Sequence, residues 1–185
     1  MRHTSGPGHQ PAASSLEAPS AFYESFLDPS LAFTCAYYSH EAADLAEAQT
    51  AKFDFIARKL RLRPYQTLLD VDCGWGSFVI HASKQFGVTA HGITRSAEQA
   101  EYAREWIRRE GLEDQALVEH RDYRELVGEL QFDRISAIGG LEHVDVTDDC
   151  GTSREDSDRS AMVHQFDHAP SRDLCRTPIL ITVRA

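Results

Sequence analysis

The sequence predicts an α/β domain whose parallel sheet carries helices on both faces, with about four strands before residue 145. Two observations predict it. Short apolar segments that suit buried strands alternate with longer segments whose apolar residues recur at helical spacing. Two of the predicted helices are followed by Gly87 and Gly111, a residue type that ends helices in the left-handed conformation. Such alternation is typical of strands joined by helical crossovers.

The predicted elements follow one another from residue 41 to residue 138. An amphipathic helix is predicted over residues 41–60, because apolar residues recur at helical spacing and Pro64 follows as a stop signal. Strands are predicted at 67–71, 88–93, 116–120 and 132–138, and further helices at about 77–86 and, after a cap at Ser96, up to residue 110.

The two ends of the chain differ from this central part. Residues 1–20 contain three prolines among small and polar residues, which predicts a flexible arm ahead of a partial domain at 21–144. Residues 145–178 hold seven Asp and one Glu with few large apolar residues, so 145–185 is predicted to be an irregular tail, strand-like only at 179–183. A frameshifted or prematurely ended reading frame is our hypothesis for this change.

Composition excludes several classes of protein. The 185 residues are 42% hydrophobic and 26% charged, as in ordinary globular domains, and the formal charge of −10 argues against nucleic-acid binding. No stretch approaches the roughly 20 apolar residues of a membrane span, which predicts a cytoplasmic protein. The four cysteines form no CxxC pair, so no metal site is expected.

The candidate site lies at the carboxyl ends of the predicted strands, where open parallel sheets bind ligands. The sequence DVDCGWG at residues 70–76 places a strand end, a tight turn and a helix start together, and its glycines allow a ligand to approach the backbone. A glycine turn alone is weak evidence of a binding site, because many such turns are only turns.

Several segments taken together resemble a known family. LLDVDCGWGS at 68–77 resembles LLDVGCGWGS, the first motif of cyclopropane-fatty-acyl-phospholipid synthases and the related mycolic acid methyltransferases. GITRSAEQ at 92–99 is similar to that family's GITLSxxQ, and FLDPSLAFTCAYY at 26–38 to its FLDPTLTYSCAYF. Further matches at 47–52, 122–124, 132–135 and 141–144 extend the likeness over about residues 22–144, in the family's order.

The resemblance implies a Rossmann-like class I methyltransferase sheet and an S-adenosylmethionine site. Phe33 and Thr34 would close over the cofactor, the turn after the first strand would surround its methionine part, and polar groups after the second strand would bind the ribose. The implied cofactor-binding residues are Phe33, Thr34, Asp70, Asp72, Cys73, Gly74, Trp75, Gly76, Thr94, Arg95, Ser96, Gln99, Asp122, Tyr123, Ile138 and Gly139. Asp122 and Tyr123 would hold the adenine, and Ile138 and Gly139 would lie near the sulfonium.

The family's reaction is methyl transfer to the cis double bond of a lipid acyl chain, followed by loss of a proton as a ring closes. Its enzymes use bicarbonate as the base, and Cys35 and Glu142 match two of the groups that hold it. The histidine and tyrosine that complete this set have no match after Val144. The implied partners are an unsaturated phospholipid or related lipid and, transiently, a membrane surface, without nucleic acid.

Two residues depart from the family's pattern. Asp72 stands where the family has glycine, and if the position requires positive φ the substitution costs on the order of 1 kcal/mol and weakens cofactor binding. Arg95 replaces an apolar residue, so its stem is expected to cover the adenosine edge while its guanidinium stays in water. Cys35 also suits a plain buried thiol, and Glu142 a solvated loop.

Two other functions remain open from the sequence. A small-molecule methyltransferase could use the same cofactor turn without the bicarbonate apparatus, and an inactive fragment could retain cofactor binding alone.

Overall fold

The computed structural model describes residues 19–126, 132–139, 160–165 and 179–184. The helices are α1 (Ser20–Glu24), α2 (Leu45–Lys59), α3 (Ser77–Phe86) and α4 (Ala97–Glu110), with a 3₁₀ turn at Tyr123–Glu125. The strands are β1 (Thr67–Val71), β2 (Thr89–Thr94), β3 (Ala116–His120), β4 (Arg134–Ala137), β5 (Ser160–Gln165) and β6 (Ile179–Arg184). Among the described helices, none has the length and apolar character needed to span a bilayer.

Strands β1 to β4 form one parallel sheet in the order β3-β2-β1-β4. In the register of this sheet, Asp70 of β1 lies opposite Gly92 of β2 on one side and Ser136 of β4 on the other. The chain therefore runs outward from β1 to β3 and then returns to place β4 on the far side of β1. This reversal of strand order creates the crevice in which open α/β sheets bind ligands.

Local signals explain the helix ends. Helix α2 begins with a capping box, in which the Asp44 carboxylate accepts from the Glu47 N–H at 2.8 Å and the Glu47 carboxylate accepts from the Asp44 N–H at 3.3 Å. It starts later than predicted because Asp44 supplies this cap. Helices α3 and α4 end as expected, at Gly87 and Gly111 with φ values of 65° and 66°.

The core divides between the two faces of the sheet. Helices α2, α3 and α4 share one apolar cluster with strand residues such as Leu68 and Val118. The side chain after Leu68 belongs to the opposite face, where Leu69 packs with Ile93 and Leu126 in a smaller cluster. The predicted α/β sheet with crossover helices is confirmed. Within the described residues its long helices lie on one face, and the 3₁₀ turn contributes to the other.

Strands β5 and β6 form an antiparallel pair, with Met162 opposite Thr182. The second of these was predicted at residues 179–183. The first was not, because its stabilising partner lies more than a dozen residues away and the surrounding acidic sequence shows no periodicity. The proposed boundary at residues 144–145 and all but the last two residues of the arm predicted at 1–20 lie outside the described residues, so this division of the chain stays a prediction.

Candidate functional site

A cavity of about 280 Å³ opens where β1, β2 and β4 end. Twelve of the residues predicted from the sequence line it: Phe33, Thr34, Asp70, Asp72, Cys73, Gly74, Trp75, Thr94, Arg95, Gln99, Ile138 and Gly139. The segments after β1 and β2 therefore meet around one hollow, as parallel strands with aligned carboxyl ends require.

The turn after β1 has left-handed backbone at three positions: Asp72 (φ 53°), Gly74 (φ 56°) and Gly76 (φ 84°). Asp72 therefore has the positive φ that is unfavourable for a residue with a side chain. A Cβ placed on Gly76 would lie 2.9 Å from the Cβ of Ala103, so only glycine lets α3 start this close to α4. A Cβ on Gly74 would meet no atom within 4 Å, which leaves its backbone open to a ligand.

Asp70 is the buried carboxyl of the site, with 2% of its surface exposed. Its Oδ1 accepts a hydrogen bond from the Ser136 hydroxyl of β4 at 2.6 Å. Burial raises the pKa of Asp70 to about 7, against the lowering effect of the Ser136 hydrogen bond, and the neighbouring Asp72 carboxylate raises it further. A cationic ligand group beside Asp70 would therefore favour its ionised form.

Helix α2 holds the segment that forms the opposite wall. The Gln49 side chain donates to the carbonyl oxygens of Ala32 at 3.1 Å and Thr34 at 2.9 Å. One turn further along, the Lys52 ammonium donates to the Thr34 hydroxyl at 2.7 Å. These bonds fix the backbone and the side chain of Thr34 together.

Lys52 is fully buried and lines the cavity, and burial lowers its pKa to about 8. The sequence motifs did not assign Lys52 to the site. A lysine on an amphipathic helix ordinarily lies on the solvated face, and the match at residues 47–52 carried no assigned role. Its spacing of three residues from Gln49, which places both side chains on one helix face, was the available signal.

The polar groups after β2 are ordered by one another. The Thr94 hydroxyl donates to the Gln99 side-chain oxygen at 2.7 Å, and both residues are buried. The Ser96 hydroxyl accepts from the Gln99 N–H at 3.3 Å and so caps α4. Ser96 lies outside the cavity lining, and the ribose contact predicted for it stays a prediction.

The two departures from the family's pattern face each other. Arg95 Nε lies 3.6 Å from Asp72 Oδ1, forming an ion pair between the turns that follow β2 and β1. The Arg95 side chain is exposed, and its guanidinium also pairs with the Asp72 carboxylate.

The other predicted residues lie apart from the lining. Gly76 faces Ala103, Tyr123 packs against the Leu69 cluster, and Cys35 is half-buried against the main core. Asp122 directly precedes the 3₁₀ turn and is half-buried. Glu142 lies outside the described residues. The contacts predicted for these residues stay predictions.

Apolar residues that the sequence analysis did not assign to the site complete the walls, namely Tyr23, Leu31, Ala32, Phe53 and Phe78, together with Ser77. The indole of Trp75 is also buried, and its N–H has no partner within the described part of the chain. The cavity thus combines aromatic surface with a few oriented polar groups, as small-molecule sites do.

A sequence model of the family described as mycolic acid cyclopropane synthetase matches residues 11–151. The chain belongs to this family. It is 47% identical over 125 residues to a probable fatty acid methyltransferase of Mycobacterium tuberculosis, covering 68% of this chain and 29% of that protein. It is 41% identical over 122 residues to the cyclopropane-fatty-acyl-phospholipid synthase of Escherichia coli, covering 66% of this chain and 30% of that protein.

Solved structures of cyclopropane synthases share the fold. The cyclopropane synthase MmaA2 of Mycobacterium tuberculosis superimposes with a TM-score of 0.73 at 30% identity, covering 81% of this chain and 54% of that one. The chain spans about three tenths of the length of the two curated relatives from Mycobacterium tuberculosis and Escherichia coli named above. The family and the Rossmann-like methyltransferase fold inferred from the sequence motifs are confirmed.

Proposed function

We propose that the cavity binds S-adenosylmethionine, as part of an enzyme that transfers a methylene unit to the cis double bond of a lipid acyl chain. The observation that carries the proposal is the cavity itself, which lies at the switch point of the sheet and is lined by the family's motif residues. When bound, the cofactor would supply a methyl group activated by a sulfonium.

The residues present fit this ligand. Asp70 offers a carboxyl to the ammonium of the methionine part, and the open backbone at Gly74 allows close approach. Thr94 and Gln99 offer a hydroxyl and an amide to the ribose. Trp75, which is 2% exposed, contributes flat apolar surface that excludes water from the cavity.

We also propose which residues hold the catalytic base. By family resemblance, Cys35 and Glu142 would help to hold a bicarbonate, which would supply a small base for the proton lost on ring closure. Cys35 directly follows the cavity-lining Thr34 and is half-buried, so its position is compatible with this role. The Glu142 part rests on the sequence likeness alone.

An exposed aromatic patch supports contact with lipid. We define this patch as Phe22, Phe26 and Phe33, whose side chains are 56%, 48% and 46% exposed. The ring of Phe26 lies between the other two. Its centroid is 5.2 Å from that of Phe22 and 6.5 Å from that of Phe33. Phe33 also lines the cavity, so the patch connects its mouth to the surface. We place the protein in the cytoplasm, with transient contact to a membrane surface through this patch.

Lipid mass spectrometry tests the transfer reaction. The protein is incubated with S-adenosylmethionine carrying an isotopically labelled methyl group and with vesicles of unsaturated phosphatidylcholine. We expect acyl chains heavier by one labelled methylene unit, formed normally by the exposed-loop variant Glu113→Gln and much more slowly by Thr94→Val. Cofactor binding without labelled lipid would contradict lipid transfer and favour a small-molecule methyltransferase or an inactive fragment.

Vesicle co-sedimentation tests the aromatic patch. The double substitution Phe22→Ser with Phe26→Ser should reduce the bound fraction severalfold on uncharged phosphatidylcholine vesicles. Tyr65→Ser is the matched control, because Tyr65 is 95% exposed but lies outside the patch. Equal binding by both variants would contradict the proposed contact.

A further inference from the structure

Lys52 is a buried cation with no role in the function proposed above. Its side chain has 0% exposure, and it lies on α2 in the wall of the cavity. Within the part of the chain that the structure describes, no carboxylate oxygen lies within salt-bridge distance of its ammonium. A buried charge without a charged partner is strongly unfavourable unless a ligand completes its surroundings.

The contacts of Lys52 orient its ammonium along the cavity wall. It donates to the Thr34 hydroxyl at 2.7 Å and lies 4.7 Å from the centroid of the Phe53 ring. Thr34 and Phe53 also line the cavity. Among the described residues, the ammonium thus has one neutral oxygen as acceptor and one aromatic face, which leaves two of its three donors without an acceptor.

Two carboxyl groups, those of Asp28 and Asp70, interact electrostatically with Lys52 and hold hydrogen bonds to other residues. Asp28 accepts from the N–H and the hydroxyl of Ser30, both at 3.0 Å. Asp70 accepts from the Ser136 hydroxyl. These two carboxyls and the Cys35 thiol favour the charged form of Lys52, but burial outweighs them and lowers the pKa. Since the ammonium forms no ion pair with a described carboxylate and donates to a described oxygen only at Thr34, it has donors left for an external anion.

We propose that Lys52 and Thr34 bind the α-carboxylate of the methionine part of the cofactor, while Asp70 binds its ammonium. This inference rests on the proposed function, in which the cavity takes S-adenosylmethionine. The methionine part is a zwitterion, and the cavity presents one buried cation from α2 and one buried carboxyl from β1. This charge pattern matches both poles of the ligand.

Helix α2 would therefore have two tasks on one face. Gln49 fixes the backbone of residues 32–34, and Lys52 holds the Thr34 hydroxyl and supplies the charge. The Thr34 hydroxyl accepts from Lys52, so its own proton is free to point toward a carboxylate oxygen.

Isothermal titration calorimetry with two ligands tests the inference. The ligands are S-adenosylmethionine and its decarboxylated form, which lacks only the carboxylate. In the wild-type chain, loss of the carboxylate should weaken binding at least about tenfold, the equivalent of 1.4 kcal/mol. Lys52→Met should weaken binding of the intact cofactor by a similar factor and leave binding of the decarboxylated ligand unchanged or tighter.

Lys59→Met is the matched control, because it makes the same change on the same helix outside the cavity lining. It should leave both affinities unchanged. If Lys52→Met does not fold, Thr34→Val and the comparison of the two ligands on the wild-type chain still test the claim. Equal affinity of the wild type for both ligands, or equal weakening of both by Lys52→Met, would overturn it. Failure of the wild type to bind either ligand would instead refute the proposed function on which it rests.

Discussion

Replacing Asp70 with asparagine should remove a large pH dependence from the stability of the fold. The side chain is 2% exposed and hydrogen-bonded to Ser136, and burial raises its pKa from the ordinary value of 3.8 to about 7. Asparagine has nearly the shape of the protonated acid and carries no charge. The variant therefore resembles the low-pH form of the wild type at every pH.

The sign and size of the effect follow from linkage. Because the folded state holds this proton more tightly, the stabilisation is fully present below about pH 3.8 and is lost as the pH rises through about 7. At about 1.4 kcal/mol for each tenfold change in proton affinity, the total is roughly 4 kcal/mol. About 3 kcal/mol of it should disappear between pH 4.5 and pH 8.

Urea denaturation at a series of pH values measures this. The free energy of unfolding of Asp70→Asn minus that of the wild type should increase by about 3 kcal/mol from pH 4.5 to pH 8. Taking the difference cancels the contributions of those titrating groups that do not interact with Asp70. A difference that stays constant over this range would refute the reasoning that Asp70 is a strongly buried carboxyl.

Four further substitutions have defined outcomes. Gly76→Ala should destabilise the fold by about 2–3 kcal/mol in thermal unfolding, because the new Cβ has both left-handed strain and a 2.9 Å clash with α4. Gly111→Ala has the same strain but open space around the Cβ, so it should cost only about 1 kcal/mol. Asp72→Gly should tighten S-adenosylmethionine binding about fivefold in calorimetry by removing a second carboxylate from the methionine subsite, and an unchanged affinity would contradict this. Thr94→Val should weaken cofactor binding about tenfold, because Gln99 loses the hydroxyl that orients it; wild-type affinity would show that this pair lies outside the ribose site.

The elements whose signals are local could be predicted from the sequence. Strands β1 and β3 and helix α3 have the bounds that the sequence predicted, because glycines and strand-length apolar runs mark their ends. The lining residues that follow β1 and β2 lie where the geometry of parallel strands brings them together, whereas Phe33 and Thr34 were assigned to the site only through the family resemblance.

What could not be predicted depends on tertiary contacts. The Asp72–Arg95 ion pair joins two loops whose proximity is set by the pairing of β1 with β2. Helical spacing places Lys52 on one face of α2 with Gln49, but the burial of that face depends on the segment around Thr34, which contacts α2 only in the folded chain. Strand β5 likewise exists through its pairing with β6.

Hydrogen–deuterium exchange with mass spectrometry tests the central claim most directly, because it locates the ligand as well as detecting it. With saturating S-adenosylmethionine, exchange should slow in peptides that cover residues 31–35, 70–77 and 94–99, and stay unchanged in the exposed loop at 111–115. Unchanged exchange in the first three peptides, or protection confined to other segments, would contradict the placement of the cofactor between the ends of β1 and β2.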